Sequence, residues 1–92
     1  MTEDDAALKP LIENSVVLDL ASPYVIVGKL RGADAAYYII EDADVHDLRD
    51  TTTTRELYVL DTKRHGVNVN RRRVLVRRSD VVGLSLLSDV IE

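Results

Sequence analysis

The sequence contains no cysteine, which excludes disulfides and thiolate metal sites. No apolar run approaches the roughly 20 residues needed to span a bilayer, so no membrane partner is expected. The opening MTEDDAALKP lacks the basic-then-apolar pattern of a signal peptide, and the chain reads as soluble and cytoplasmic. There is no glycine-rich phosphate loop and no serine in a recognisable nucleophile setting. The only two histidines lie far apart in sequence. These absences leave catalysis without support: the expectation is a protein that is not an enzyme and carries no cofactor. With 4 glycines and 2 prolines, those that occur mark bends and turns.

What is present is a chain of 92 residues, the size of a single domain with a thin core. Its net charge of −4 hides an asymmetry. Residues 1–50 hold 11 acids and 4 bases, whereas residues 51–92 hold 5 acids and 8 bases. From Lys63 to Arg78 there are seven Lys or Arg and no acid. The local basic run therefore carries more information than the mean charge.

Along the chain, residues 1–14 suggest a short or broken helical segment, with acids at its start and Pro10 limiting its length. Leu8, Leu11 and Ile12 are its docking residues. From Ser15 the apolar period becomes two: Val16, Leu18 and Leu20 share one strand face and Asp19 the other. ASP at 21–23 is a turn, and Tyr24 to Leu30 is a second strand. Gly28 inside it signals a bend or close backbone approach. RGAD at 31–34 turns into a third strand, Ala36 to Glu41. Residues 42–55 are polar and aperiodic, and read as an insertion loop. ELYVLDT and VNVNRRRVLV flank KRHG, which predicts an extended hairpin over 55–76 with Gly66 at a position needing positive φ. A parity slip within it predicts a bulge near Asn70 to Arg73. VVGLSLL is the last strand, and its apolar edge needs a partner.

The order and spacing of two segments resemble the Sm/LSm family. The first is Val16, Leu18 and Leu20, then Gly28, Leu30 and Asp34, then YYIIEDA. The second is VRRSDVVGL, with Val76, Arg77, Arg78, Val81 and Leu84. The similarity covers about residues 10–43 and 74–87. It implies one Sm-like domain over 1–92. The expected fold is all-β with a short N-terminal helix: a small five-stranded, strongly bent antiparallel barrel, Sm-like or SH3-like, with a long β-hairpin insertion. It also implies a cyclic homo-oligomer in which the last strand pairs with the fourth strand of a neighbour.

In that family an apolar-Asn pair and an Arg-Gly pair form an RNA base pocket on the inner rim of a ring. Here Tyr37 holds the apolar, stacking position and Tyr38 stands where the Asn is expected. Arg77 is retained, Arg78 replaces the Gly, and Asp34 is retained to order its loop. An aromatic and an extra cation thus replace the amide that reads a base edge. The resemblance implies single-stranded RNA as a partner, with Asp34, Tyr37, Tyr38, Arg77 and Arg78 as the site. The competing reading is a structural or protein-interaction ring that does not bind RNA, favoured by the missing Asn and Gly and the acidic mean charge. Arg71, Arg72 and Arg73 read either as a phosphate stripe or as charges that keep an edge strand soluble. DADVHD, with Asp42, Asp44, His46 and Asp47, reads as a solvated acidic loop rather than a metal site.

Overall fold

A computed structural model of the chain describes residues 3–92. A 3-10 helix, Glu3–Leu11, precedes five strands: β1 Ser15–Leu20, β2 Tyr24–Ala33, β3 Tyr37–Asp47, β4 Arg71–Arg77 and β5 Val81–Leu86. One helix, α1 Arg55–His65, lies between β3 and β4. The sheet order is β4-β3-β2-β1-β5, and every neighbouring pair is antiparallel. No helix among the described residues is long and apolar enough to cross a membrane.

β4 and β5 are consecutive in sequence but lie at opposite edges of the sheet. Only the short turn Arg78–Asp80 joins them. Four strand spacings in a flat sheet would separate those edges by roughly 19 Å. The four peptide steps from Arg77 to Val81 reach at most about 14 Å. The sheet must therefore curl until its edges approach each other. They do not hydrogen-bond, so the expected barrel is a strongly bent sheet that stays open between β4 and β5.

The bend is built at identifiable residues. A methyl group on Gly28 would sit 2.6 Å from Ile40 Cγ2 and 3.0 Å from both Ala43 Cα and the Glu41 carbonyl oxygen. Glycine there lets β3 fold closely across β2, as the sequence suggested. The β2–β3 register shifts at this point. Across from it, Asp42 takes a left-handed φ of 48°. That residue switches the phase of β3: Ile40 faces the inner core before it, Ala43 and Val45 after it. The inner core also holds Val16, Leu18, Ile26, Leu30 and Val76. As expected, the N-terminal segment docks through Leu8, which is buried, and through Leu11 and Ile12 against this core. The segment is held to β2 by Glu13 N–H donating to Leu30 O and Leu30 N–H donating to Asn14 O.

The sheet has a second core on its other face, formed by Val17, Val25, Val27 and Val59. Val59 belongs to α1, which corrects the expected hairpin over 55–76. Thr54 caps the helix by accepting from Leu57 N–H at 3.2 Å, Glu56 lies in the first turn, and Lys63, Arg64 and His65 lie in the last. Gly66 does take the positive φ anticipated for it, 92°, but it terminates a helix instead of turning a hairpin. The run Leu57 to Leu60 is equally compatible with a strand or a buried helix face, and the caps settle it. The parity slip that suggested a bulge near Asn70 to Arg73 has the same origin. Residues 67–70 are not strand, and β4 pairs with β3 without any shift from Arg71 to Arg77.

Residues 42–55 are not a loop throughout. Residues 42–47 continue β3, Leu48–Asp50 is a 3-10 turn, and only residues 51–54 connect to α1. Within DADVHD, Asp44 is buried rather than solvated.

Candidate nucleic-acid interface

Two turns meet at one end of the sheet because β3 and β4 pair in register from Tyr37 and Arg77 onward. The first turn, at 34–36, is ordered by Asp34. Its Oδ1 accepts from Ala36 N–H and Tyr37 N–H, each at 2.8 Å, while its own N–H donates to Tyr37 O at 3.0 Å. These two amides, with Arg78 nearby, hold the Asp34 carboxyl below its ordinary range. The second turn starts at Arg78, whose N–H donates to Ala36 O at 2.8 Å and so ties the turns together.

The Arg78 side chain crosses between them. Nη1 donates to the Asp34 carbonyl oxygen at 2.9 Å, and the guanidinium carbon lies 5.0 Å from the centre of the Tyr38 ring. Tyr38 leans its other side on the inner core. Asp34, Tyr38 and Arg78 therefore form one constellation: an ordered turn, an aromatic ring and a guanidinium stacked on it.

Tyr37 and Arg77 do not join them. Successive strand residues face opposite ways, so this cross-strand pair sits on the face turned away from the inner core. The five residues expected to share a site are divided between the two faces of the sheet. Arg71, Arg72 and Arg73 stand exposed on β4, an edge strand. Among the described residues, Arg72, Arg73 and Arg77 enter no ion pair, whereas Lys29, Arg31, Arg49, Arg55 and Arg64 all do.

One polar cluster escaped the sequence. The hydroxyl of Tyr58 on α1 donates to Asp44 Oδ2, and Asn70 Nδ2 donates to Asp44 Oδ1 at 3.0 Å. The His46 ring stacks on Tyr58 at 4.1 Å and 7°. Asn70 also bridges to β3, accepting from Val45 N–H at 2.9 Å. The cluster fastens α1 and the strand that follows it onto β3. Burial first, and the Asp44 contact second, push the Tyr58 phenol well above its ordinary value. No signal in the polar run 42–47 marks Asp44 as buried, because its cover is Tyr58 of α1, 14 residues further along the chain. No group of three or more His, Asp or Glu able to hold a metal forms among the described residues.

Three solved structures share this architecture. One is a Pyrococcus abyssii Sm protein in complex with a uridine heptamer, with a TM-score of 0.61 and 16% identity over 94% of this chain and 99% of that one. Another is an Sm-like protein from Archaeoglobus fulgidus, with a TM-score of 0.60 and 14% identity over 94% and 96%. The third is an SmAP (LSm) protein from Methanococcus vannielii, with a TM-score of 0.57 and 19% identity over 94% and 100%. Neither a protein-family model nor a curated protein sequence matches the chain. The chain has the Sm-like fold, as the order and spacing of its motifs implied.

Proposed function

We propose that this protein is an oligomeric Sm-like module that binds single-stranded RNA in the cytoplasm and is not a catalyst. The observation that carries the reading is the stack of Arg78 on Tyr38 beside the Asp34 turn. A guanidinium backed by an aromatic ring presents a flat, positively charged plane on which a base can stack while its phosphate is neutralised. The Pyrococcus Sm protein of the same fold, solved with a uridine heptamer, supports RNA as the ligand class.

The open edges of β4 and β5 support assembly by strand addition, since each leaves a row of backbone groups unpaired within the chain. Head-to-tail pairing of one edge with the other closes into a ring. Light scattering then reports a multiple of 10.3 kDa, and a monomeric mass would remove the ring from the proposal.

The test of RNA binding is fluorescence anisotropy with oligouridine, oligoadenine and DNA across a salt series. Binding should weaken steeply with salt and fall in Arg78→Ala and Tyr38→Leu. The alternative is a protein-interaction ring without RNA. It is favoured by the fact that Arg78 already has partners in Tyr38 and the Asp34 carbonyl. No binding at low salt by a folded oligomer selects that alternative.

A further inference from the structure

The two open edges of the sheet, β4 and β5, differ in charge on their outward sides. Val74 and Val76 of β4 pack against the inner core, so residues 71, 73, 75 and 77 alternate onto the other face. This sets Arg71, Arg73 and Arg77 around Leu75, which is 56% exposed. Among the described residues no acid pairs with these arginines. Glu41, directly opposite Arg73, gives its Oε1 to Arg31 at 3.2 Å. The outward side beside β5 carries the opposite charge. A groove of about 300 Å³ lies there between β1, α1 and residues 89–91. Val17, Val59 and Val90 are its apolar floor, exposed Ile91 lines it, and Asp19, Glu56 and Asp89 supply three carboxylates. Arg55 pairs with Oδ1 of Asp19 at 3.4 Å, and among the described residues no ion pair involves Glu56 or Asp89. β5 does not wall the groove off from its own edge, because the residues it pairs with Asp19 and Val17 are Gly83 and Ser85. Oδ2 of Asp19 lies over Gly83, 3.5 Å from where a Cβ would sit. Val82, the extra residue where the β1–β5 register shifts, adds apolar surface that is 71% exposed.

We propose that the groove between α1 and the C-terminal residues receives the outward side chains of β4 from a second copy of this chain. The arginines of that β4 supply the cations that Glu56 and Asp89 lack, and its Leu75 meets the apolar surface of Val82 and Ile91. The inference rests on the assembly proposed above and adds to it a side-chain contact that backbone pairing does not require. The two complementary surfaces belong to one chain and stand at its two open edges, as a head-to-tail contact demands. A basic partner of another kind would match the groove but leave the arginines of β4 unmatched. The charges also decide which edges meet. Pairing β4 with β4 would bring arginines together, and pairing β5 with β5 would bring carboxylates together, so only β4 with β5 is favoured.

The experiment measures mass by light scattering without nucleic acid, over a dilution series at low and high salt. Wild type is compared with Glu56→Lys plus Asp89→Lys, with Arg71→Glu plus Arg73→Glu, and with a chain carrying all four changes. All four positions are exposed, and thermal unfolding checks that each variant folds. Each pair reversal should dissociate at protein concentrations about tenfold higher than wild type does, because like charges then face each other. The four-residue reversal restores opposite charges with their places exchanged, and should assemble as wild type does. An equimolar mixture of the two pair reversals is the second readout, since each supplies the surface that the other lacks, and its mass should exceed that of either alone. High salt should weaken wild-type assembly and relieve the repulsion in the pair reversals. If wild type is oligomeric and either pair reversal matches it, the groove contact is overturned and assembly by strand addition stands. If both pair reversals dissociate and neither the four-residue chain nor the mixture recovers, the two surfaces do not face each other and the groove contact is overturned. If wild type is monomeric, the proposed assembly fails and the groove contact fails with it.

Discussion

The guanidinium of Arg78 lies 5.0 Å above the ring of Tyr38 while its Nη1 donates to the carbonyl of Asp34 at 2.9 Å. The position of the cation is thus set by a turn that a single carboxylate organises. Arg78 stands where the family pattern has glycine. The longer residue fits because the neighbouring position is an aromatic ring that can lie under it. Cation–aromatic stacking of this kind contributes roughly 0.5–1 kcal/mol at an exposed site. Its main effect here is to hold one rotamer.

The Asp34 carboxyl should titrate below 3.8, because the two amides of Ala36 and Tyr37 favour its charged form. Its folded value is lowered, so its stabilisation of the turn is full above pH 3.8 and is lost as pH falls through the lower folded value. NMR should show the Ala36 and Tyr37 amides shifting together in that acid range and staying constant from neutral pH down to it. A midpoint at or above 3.8 would contradict the geometry. Asp34→Ala should release the turn without unfolding the sheet and, under the proposed function, weaken RNA binding.

Gly28→Ala should destabilise the protein by about 1–3 kcal/mol, the usual cost of forcing atoms into a packed core. The added carbon meets Ile40 Cγ2 at 2.6 Å and backbone atoms of β3 at 3.0 Å, and the backbone cannot move aside without opening the bend. Urea denaturation reads the change as a lower midpoint. Gly32→Ala is the control, since nothing lies within 4 Å of the added methyl.

The Tyr58 phenol should ionise above the ordinary phenol range. Burial and the contact with Asp44 raise its value above the ordinary 10.0. A raised value means that its stabilisation is full below pH 10.0 and disappears as pH rises through the folded value. An absorbance titration should show one of the four tyrosines ionising late or only with unfolding. A single step near pH 10 for all of them in folded protein would refute the contact. Tyr58→Phe should cost about 1–3 kcal/mol, because Asp44 stays buried with one partner fewer.

Thr54→Ala should cost about 1 kcal/mol by removing the acceptor for Leu57 N–H at the start of α1. The loss should appear as faster amide exchange in α1 with the sheet amides unchanged. Equal loss of protection in β1 and β2 would show instead that the helix and the outer core unfold as one unit.

The inner core was legible in the sequence. Val16, Leu18, Ile26 and Leu30 alternate with a strand period, and Gly28 interrupts that pattern where the chain bends. The terminal docking residues Leu8, Leu11 and Ile12 were legible as the apolar residues of an otherwise polar N-terminal helical segment. The second core was not. Val17, Val25 and Val27 look like the continuous runs of strands buried on both faces, but nothing local says what covers them. The cover, α1, was hidden by a four-residue apolar run that fits either structure. Its signals were capping residues: Thr54, Glu56, the basic last turn and Gly66. The hairpin reading assigned only the glycine, and to the wrong element.

The sequence by itself determined which residues alternate, where the backbone needs glycine, and that Asp34, Tyr38 and Arg78 occur at Sm-like spacing. Those are properties of residue type and chain period, readable without neighbours. Only the tertiary structure decided that Tyr38 and Arg78 stack while Tyr37 and Arg77 face the other way. That outcome depends on the β3–β4 register, and a shift of one residue exchanges every side chain between faces. Burial of Asp44 has the same kind of cause. One left-handed residue, Asp42, inverts the phase of β3, so Asp44 turns away from the inner core toward α1 and anchors that helix through Tyr58.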